Sequence, residues 1–333
     1  MEPSLPAESY LRTRMKFGIK LGLERIKRML ALAGNPQDAF QSVLIAGTNG
    51  KGSVAHLMAR ILFEAGHRVG LYTSPHLVSY RERMRINGCA IDMDSFNSLL
   101  SWAREIAERI ERDEGLDPPT EFELLTLMAC QHFANNGVEF AIMEVGLGGR
   151  FDATNALTPV LSIVTTVSLD HTDRLGSTHF DIATEKLGIT RPGVPLVTGE
   201  RKPAILDYIQ RHCIAHGISM RVVGIDVRWQ KRWARYDGVC ADYVTWCAEY
   251  PELECALGGD FQFANVGCAL GAVEILRECG IAVSTDAIYR GVARARCVGR
   301  LDVLQQKPVV VADGAHNPAA ATSLSRALRT LFT

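Results

Sequence analysis

Residues 43–54 read Val-Leu-Ile-Ala-Gly-Thr-Asn-Gly-Lys-Gly-Ser-Val, an apolar run that passes directly into a glycine-rich loop. The apolar run is typical of a buried strand, and an amphipathic helical pattern begins at Val54. Glycines let backbone N–H groups approach an anion closely, and a helix start adds a favourable dipole. Lys51 supplies a full positive charge, and the Ser53 hydroxyl is a suitable ligand for Mg²⁺. The stretch therefore predicts a cradle for the phosphates of a nucleotide.

The loop departs from the standard phosphate-binding pattern at two positions. That pattern has glycine six residues before the lysine and serine or threonine directly after it. Ile45 and Gly52 occupy these positions here. The alternative is a simple glycine-rich turn, but three glycines with Lys51 and Ser53 at fixed spacing occur by chance about once in 10⁶ starts. We therefore predict binding of a nucleotide triphosphate.

Composition restricts the class of protein. The chain has 333 residues, 36 Lys and Arg, and 37 Asp and Glu, so its balanced charge does not favour a nucleic-acid partner. No apolar run approaches the ~20 residues of a membrane span, and the start of the sequence lacks a signal-peptide profile. The nine cysteines are scattered without a C-x-x-C pair, which is typical of reduced thiols. We expect a cytoplasmic protein without a membrane or nucleic-acid partner.

Strand and helix patterns alternate along most of the sequence. This alternation predicts an α/β fold with a doubly wound, mostly parallel sheet and helices on both faces. Polar clusters follow four predicted strands, at Lys51–Ser53, Ser74–His76, Glu144 and Asp170–His171. Because ligands bind at the carboxyl ends of parallel strands, the four clusters are predicted to share one site.

The pattern also predicts how the chain is divided. Residues 1–293 are assigned to the nucleotide-binding domain, 294–305 to a linker, and 306–333 to the start of a smaller Rossmann-like domain. We expect that second domain to be truncated, because one strand and one helix cannot bury a core. Residues 8–33 are predicted to form one helix, and residues 80–88 a surface loop or hairpin.

Several motifs in this order resemble folylpolyglutamate synthase, a branch of the Mur ligase superfamily whose bacterial members often act as dihydrofolate synthase too. They are Gly47-Thr-Asn-Gly-Lys-Gly-Ser53, Thr73-Ser-Pro-His76, Glu144-Val-Gly-Leu-Gly-Gly-Arg150 with Asp152-Ala-Thr-Asn155, and Asp313-Gly-Ala-His-Asn-Pro318. The resemblance implies a monomeric, ATP-dependent amide ligase. The carboxylate of dihydropteroate, or of a folate's terminal glutamate, would be phosphorylated and then attacked by the amine of L-glutamate.

The resemblance also implies a nucleotide site. Its predicted residues are Gly47, Thr48, Asn49, Gly50, Lys51, Gly52 and Ser53 in the cradle, with Asn265 on the adenine side and Arg300 and Asp313 reaching from the linker and second domain.

Two Mg²⁺ sites are implied as well. Ser53, Ser74 and Glu144 would hold the first ion, and His171 with Glu144 the second. Lys186 matches the family's carbamylated lysine, and carbamylation converts the cation into an anionic oxygen ligand. The predicted catalytic residues are thus Lys51, His171 and Lys186. Without the resemblance, Lys186 would be interpreted as a surface lysine, His171 as a strand-end residue and Ser74 as part of a turn.

Substrate contacts are assigned by the same resemblance. Thr120, Phe122 and Asp152 would line the pterin pocket, Arg150 belongs to the loop signature, and His316 would handle glutamate. Thr120 also has a simpler interpretation, because its spacing to Glu123 is that of a helix capping box.

Two other functions stay open at this point. One is a Mur-type ligase that adds an amino acid to a UDP-sugar peptide. The other is a truncated protein that binds ATP without turnover. The sequence also departs from the family pattern at Val298, Asp260 and Arg191, none of which is a predicted ligand.

Overall fold

The structure is a computed structural model that describes residues 6–15, 22–113 and 115–332. The strands are β1 (Gln41–Ala46), β2 (Val69–Tyr72), β3 (Met84–Ile86), β4 (Cys89–Ala90), β5 (Phe140–Glu144), β6 (Pro159–Val164), β7 (Leu196–Thr198), β8 (Met220–Val222), β9 (Arg228–Ala234), β10 (Val239–Val244), β11 (Glu249–Cys255), β12 (Asp302–Gln306) and β13 (Val309–Ala312). The helices are α1 (Pro6–Met15), α2 (Glu24–Leu32), α3 (Lys51–Glu64), α4 (Met93–Asp113), α5 (Glu121–Asn135), α6 (Thr172–Leu175), α7 (His179–Leu187), α8 (Pro203–Ala215), α9 (Gln262–Glu278), α10 (Thr285–Arg294) and α11 (Pro318–Leu331).

An eight-stranded sheet in the order β4-β3-β2-β5-β1-β6-β7-β8 forms the centre of the molecule. Strands β2, β5, β1, β6, β7 and β8 are parallel, while β3 and β4 form an antiparallel hairpin at one edge. The glycine-rich loop follows β1, which lies between β5 and β6. The chain winds from β1 to β2 in one direction and later to β6 in the other, so the loop lies at the point where the winding reverses.

Alternate residues of β1 enter two separate hydrophobic cores. Leu44 packs with residues of α2, α4 and α5 on one face of the sheet. Val43 and Ile45 pack with α3, α9 and α10 on the other. Side chains alternate across a strand, so an uninterrupted apolar run such as residues 43–46 is what a strand covered on both faces requires. The predicted doubly wound α/β fold is confirmed.

A smaller antiparallel sheet, β11-β10-β9, packs against α9 and supports the first turn of that helix. The buried Tyr243 hydroxyl donates to the carbonyl oxygen of Phe263 at 3.0 Å. The buried Tyr250 hydroxyl donates to Glu274, whose carboxylate also pairs with Arg277. These contacts fix the position of α9 relative to the small sheet, and α9 also packs on β6 and β7 of the central sheet.

The structure differs from the predicted elements in three places. The helix predicted over residues 8–33 is two helices, α1 and α2, and residues 16–21 lie outside the described residues. Helix α9 begins at Gln262 rather than at residue 266, because Gln262 and Phe263 are buried and extend its packed face. Strand β12 was not predicted, since its sequence DVLQQ carries no period-2 apolar pattern. Residues 80–88 include the β3 strand of the predicted hairpin.

The last part of the chain is a two-stranded antiparallel ribbon, β12-β13, followed by α11. Strand β12 begins inside the stretch predicted to be the linker, at Asp302. The division of the chain into residues 1–293, 294–305 and 306–333 stays a prediction.

Candidate active site

A cavity of about 740 Å³ opens at the carboxyl ends of β1, β2, β5 and β6. Residues from 313 to 324, between β13 and the middle of α11, form its opposite wall. Most of the predicted ligand and catalytic residues line it; they are Gly47, Thr48, Asn49, Gly50, Lys51, Gly52, Ser53, Ser74, Glu144, His171, Lys186, Asn265, Arg300, Asp313 and His316. The four strand ends meet in the cavity, as parallel-sheet geometry leads one to expect. Asn265, Arg300 and residues 313–324 reach the same cavity from later parts of the chain.

The loop at residues 47–53 takes its shape from close neighbours. Gly47 has φ 149°, and a Cβ there would overlap the Thr165 hydroxyl. Gly50 has φ 91°, and a Cβ there would overlap the Asn265 side-chain oxygen. Both positions therefore need glycine, for conformation and for space. The Thr165 hydroxyl also donates to the carbonyl oxygen of Asn49 at 2.7 Å, which ties the loop to the end of β6.

Lys51 and Glu144 place opposite charges at the base of the cavity. Lys51 Nζ donates to the carbonyl oxygens of Gly47 at 2.9 Å and Thr48 at 3.3 Å, so the ammonium lies inside the loop. Burial lowers the pKa of Lys51, and the Glu144 carboxylate opposes that shift. Burial likewise raises the pKa of Glu144, with Lys51 opposing it. Glu144 is 4% exposed and accepts a hydrogen bond from the backbone N–H of Ser74 at 3.1 Å.

Lys186 is a buried amine in the cavity wall, with 3% of its surface exposed. It lies near the end of α7, a helix that begins with a Thr178–Asp181 capping box. Burial, followed by the charge of Lys51, lowers the pKa of Lys186 to about 7. Among the described residues, its Nζ has no hydrogen-bond or ion-pair partner. The lowered pKa favours the neutral, nucleophilic form of this amine.

Asp170, His171 and His316 form a cluster whose ligand atoms all lie within 4.8 Å of one another. The His171 backbone has φ 48°, which turns the chain sharply into α6. His316 Nδ1 is 2.8 Å from the carbonyl oxygen of Gly314, which favours a proton on Nδ1 and leaves Nε2 facing Asp170 Oδ2 at 3.5 Å. This carboxylate–imidazole set is able to hold a metal ion.

Asp170 is a cavity residue that the sequence analysis placed at a strand end with His171 but to which it gave no role of its own. It lines the cavity and acts electrostatically on both Lys51 and Lys186. The available signal was its position directly before His171 at a strand end. Glu200 was missed as well: its buried carboxylate accepts hydrogen bonds from the N–H groups of Val167, Arg201 and Lys202, which shapes the cavity wall after β7.

The predicted adenine-side residue is fixed by the start of α9. Asn265 Nδ2 donates to Gln262 Oε1 at 2.8 Å, and Gln262 Nε2 is 3.4 Å from Ser53 Oγ. One chain of side chains therefore connects α9 with the end of the glycine-rich loop.

Arg300 and Asp313 shape the opposite wall. The Arg300 guanidinium donates to the Gly299 carbonyl oxygen at 3.0 Å and packs against Gly314. The Asp313 carboxylate accepts from the N–H groups of Leu301 at 2.9 Å and Ala315 at 2.8 Å. Asp313 therefore joins the start of β12 to the turn after β13.

Four residues predicted to bind the substrate lie outside the cavity lining: Thr120, Phe122 and Asp152, which were assigned to the pterin pocket, and Arg150 of the loop signature. Thr120 and Glu123 form both halves of a capping box, as their spacing predicted. The Phe122 ring and the Asp152 carboxylate both lie close to Gly146, which does line the cavity: a Cβ on Gly146 would come within 2.7 Å of the ring and 3.2 Å of the carboxylate. The exposed Arg150 side chain lies 4.9 Å from the centre of the Phe151 ring.

Among the described residues, no helix has both the length and the apolar character that crossing a membrane requires. All nine cysteines are free thiols.

Comparison with known proteins gives consistent matches over nearly the whole chain. The Mur ligase middle domain family matches residues 45–273. Dihydrofolate synthase/folylpolyglutamate synthase of Bacillus subtilis (strain 168) is 34% identical over 98% of this chain and 76% of its own length. The crystal structure of Thermotoga maritima folylpolyglutamate synthase superimposes with a TM-score of 0.88 at 36% identity, over 98% of this chain and 75% of the other. A solved complex of FPGS with AMPPCP and folate gives a TM-score of 0.92 at 31% identity, over 98% and 80%.

Proposed function

This chain belongs to the folylpolyglutamate synthase and dihydrofolate synthase family of Mur ligases, and we propose that it couples ATP hydrolysis to the joining of L-glutamate to a pteroate-type carboxylate. A phosphate cradle, a buried carboxylate and two lysines lie in one cavity, and this arrangement is the observation that carries the proposal. A relative of the same fold binds an ATP analogue and a folate together, which supports both substrates. The activity is that of a ligase forming a carbon–nitrogen bond.

The residues of the cavity fit the chemistry of an acyl phosphate route. A substrate carboxylate and a triphosphate repel each other, so positive charge must screen their approach. Lys51 and the N–H groups of residues 47–53 would bind the β- and γ-phosphates, and Arg300 would add charge from the opposite wall. The carboxylate attacks the γ-phosphorus, ADP leaves, and the amine of glutamate then displaces phosphate from the acyl carbon.

Two Mg²⁺ ions are part of the proposal, since the donor set suits that ion. Glu144 is a buried carboxylate with one hydrogen bond among the described residues, and the Ser53 and Ser74 side chains supply further oxygens nearby. His171 with Glu144 would hold a second ion, and the Asp170 carboxylate beside His171 would offer a further oxygen. Bound Mg²⁺ would neutralise charge on the phosphates during the attack.

Carbamylation of Lys186 is a further element of the proposal. An amine reacts with CO₂ only when it is neutral, and burial brings the pKa of Lys186 to about 7. The carbamate would be anionic and would offer oxygen ligands, which removes the mismatch of an unpartnered cation beside Lys51. The side chain would then orient the metal-bound part of the site.

We propose that the pterin end of the substrate lies against Gly146, with Phe122 and Asp152 supporting that segment from behind. The support is their contact with Gly146, whose N–H donates to Asp152 Oδ2 at 3.0 Å. Glutamate would enter from the opposite wall, where His316 is exposed at the cavity. A cytoplasmic monomer is also part of the proposal, and the nine free thiols support a reducing compartment.

An assay of phosphate release with the purified chain tests the function. Release from ATP should require both a pteroate-type acceptor and L-glutamate, and mass spectrometry should detect the glutamylated product. Dihydropteroate and a reduced folate, supplied separately, distinguish the two activities of the family. Release that depends on a UDP-sugar peptide, or ATP binding without any product, would contradict the proposal.

A further inference from the structure

The contact between the glycine-rich loop and the start of α11 is a pair of side-chain amides, Asn49 and Asn317. Asn317 Nδ2 donates to Asn49 Oδ1 at 3.0 Å, and Asn49 Nδ2 donates to Asn317 Oδ1 at 3.2 Å. The residues are 268 positions apart in the sequence. This reciprocal pair joins the loop of the first domain to the wall formed by the last part of the chain.

Asn317 uses all four of its hydrogen-bonding positions. Beyond the two bonds with Asn49, its Nδ2 donates to Asp170 Oδ2 at 3.0 Å and its Oδ1 accepts from the N–H of Ala320 at 2.9 Å. The backbone N–H can only donate and the carboxylate can only accept, so these two neighbours fix the orientation of the amide. With 5% exposure, Asn317 is a fully satisfied buried polar group at the junction.

The partners of Asn317 are all connected to the chemistry of the cavity. Asn49 is held by its backbone as well, because its N–H donates to Thr166 Oγ1 at 3.2 Å. Asp170 faces His171 at 3.7 Å and His316 at 3.5 Å. A displacement at Asn317 would therefore move the wall carrying His316 relative to the phosphate cradle, while the cradle keeps its anchors on Thr165 and Thr166, directly after β6.

We propose that the Asn49–Asn317 amide pair is a latch that closes the two walls of the cavity, and that Asn317 is a positioning residue for ligation. The expected fall in kcat rests on the proposed function. The expected loosening of the contact between residues 47–53 and the start of α11 does not. With the latch intact, the wall that carries His316 is held close to the place where the γ-phosphate of ATP would bind. Without it, ATP still binds to the cradle, but the second half-reaction loses its geometry.

Asn317 also caps α11, so the test must separate the cap from the latch. Asn317→Ser keeps an oxygen that can accept from the Ala320 N–H, but it cannot reproduce the paired bonds with Asn49. Ser284→Ala is the matched control, because Ser284 caps α10 through the Ala287 N–H at 3.1 Å, and Ser284 does not line the cavity. Asn49→Ala and the Asn49→Ala/Asn317→Ala double variant measure the coupling.

We expect Asn317→Ser to lower kcat roughly 10- to 100-fold, which is the loss of two or three side-chain hydrogen bonds in the closed state. The dissociation constant for AMPPCP should change less than about threefold, since the cradle keeps its backbone anchors. Hydrogen–deuterium exchange should accelerate in residues 47–53 as well as in residues 313–321. The double variant should be no slower than Asn317→Ala alone.

Two results would overturn the latch. One is a wild-type kcat in Asn317→Ser together with unchanged exchange in residues 47–53. The other is an equal loss of kcat in Asn317→Ala and Ser284→Ala, since that would trace the effect to a helix cap. If the wild-type chain forms no product with any acceptor, the proposed function fails, and the exchange measurement still decides the latch.

Discussion

Two glycine-rich loops follow neighbouring parallel strands, yet they use their polar groups differently. Every residue of the loop after β1, residues 47–53, lines the cavity. In the loop after β5, only residues 145–148 line it. The remaining residues, 149–155, turn away and pack against the end of α7, where the Asn155 side chain donates to the carbonyl oxygens of Arg150 and Gly188.

Two buried carboxylates make the difference concrete. Asp152 accepts from the N–H groups of Gly146, Leu147 and Thr154 and from the Thr154 hydroxyl, at 2.6 to 3.0 Å. Glu144 accepts one hydrogen bond among the described residues. A carboxylate with filled acceptor positions holds its own loop, whereas one with open positions is available to a cation. The glycine content of a loop does not separate these two uses.

The largest effect is expected from Glu144→Gln. The change keeps the shape of the side chain but removes the negative charge that we propose binds Mg²⁺. We therefore expect kcat/KM to fall on the order of 10³-fold. The free energy of unfolding should not decrease, because burial already disfavours the ionised form. Steady-state kinetics and calorimetry measure the two quantities. An active Glu144→Gln variant would contradict the metal assignment.

Replacing Lys186 comes next, with an expected loss of kcat of about 100-fold in Lys186→Met. Burial depresses the folded pKa to about 7, below the ordinary value near 10.4. Between these values the unfolded chain binds a proton that the folded chain does not. Stability should therefore rise with pH across this window, by at most about 1.4 kcal/mol per pH unit.

The control for Lys186 is the Lys186→Met variant itself, which should lack that pH-dependent slope in CO₂-free buffer. With carbon-13-labelled bicarbonate, the wild-type chain should give a carbamate NMR signal that the variant does not. Absence of the signal in an active wild-type protein would refute carbamylation.

Asp152→Ala should lower the free energy of unfolding, in contrast to the loss of activity expected at Glu144 and Lys186. It leaves the N–H groups of Gly146, Leu147 and Thr154 without their acceptor, which costs about 2–4 kcal/mol of unfolding free energy. Asp152→Asn keeps part of the acceptor set and should lose less. Denaturant unfolding measures both variants. If the stability is unchanged and only the affinity for the pteroate acceptor is lost, Asp152 contacts the substrate and does not mainly hold its own loop.

The smallest effect is expected at Thr120. Thr120→Val removes the hydroxyl of the capping box and should cost about 1 kcal/mol of stability, whereas Thr120→Ser should be close to wild type. Measuring KM for the pteroate acceptor separates a cap from a pocket residue. If Thr120→Ser retains full stability but raises that KM, the residue contacts the substrate.

Much of the site could be predicted because the end of a strand is visible in the local sequence, and parallel strands place all their carboxyl ends at one edge of the sheet. The polar residues at Lys51, Ser74, Glu144 and His171 each follow an apolar run, and parallel strands bring their carboxyl ends to one edge. The same rule does not reveal whether a carboxylate faces the ligand or its own loop. For that reason Asp152 was assigned to the pterin pocket from its motif, while the structure gives it four donors from its own segment.

What the sequence did not indicate depends on contacts between distant residues. Asn317 looks like an ordinary helix cap before a proline, and only the folded chain brings it against Asn49. Asp170 was visible as a polar neighbour of His171, but its contact with His316 depends on the approach of the last part of the chain. Strand β12 escaped prediction because its pairing with β13, and not its own pattern, makes it a strand.

The close neighbours of the glycine-rich loop bear on how such a motif can change during evolution. Gly47 is constrained by Thr165 and Gly50 by Asn265, and these two neighbours belong to elements far away in the sequence. A side chain at either glycine would require a smaller neighbour and would still carry the strain of a positive φ. The seven-residue loop therefore depends on the rest of the fold. If it were grafted onto another sheet, it would lack the neighbouring side chains at positions 165 and 265 that restrict its shape. We expect its residues to vary across relatives together with positions 165 and 265, and not independently.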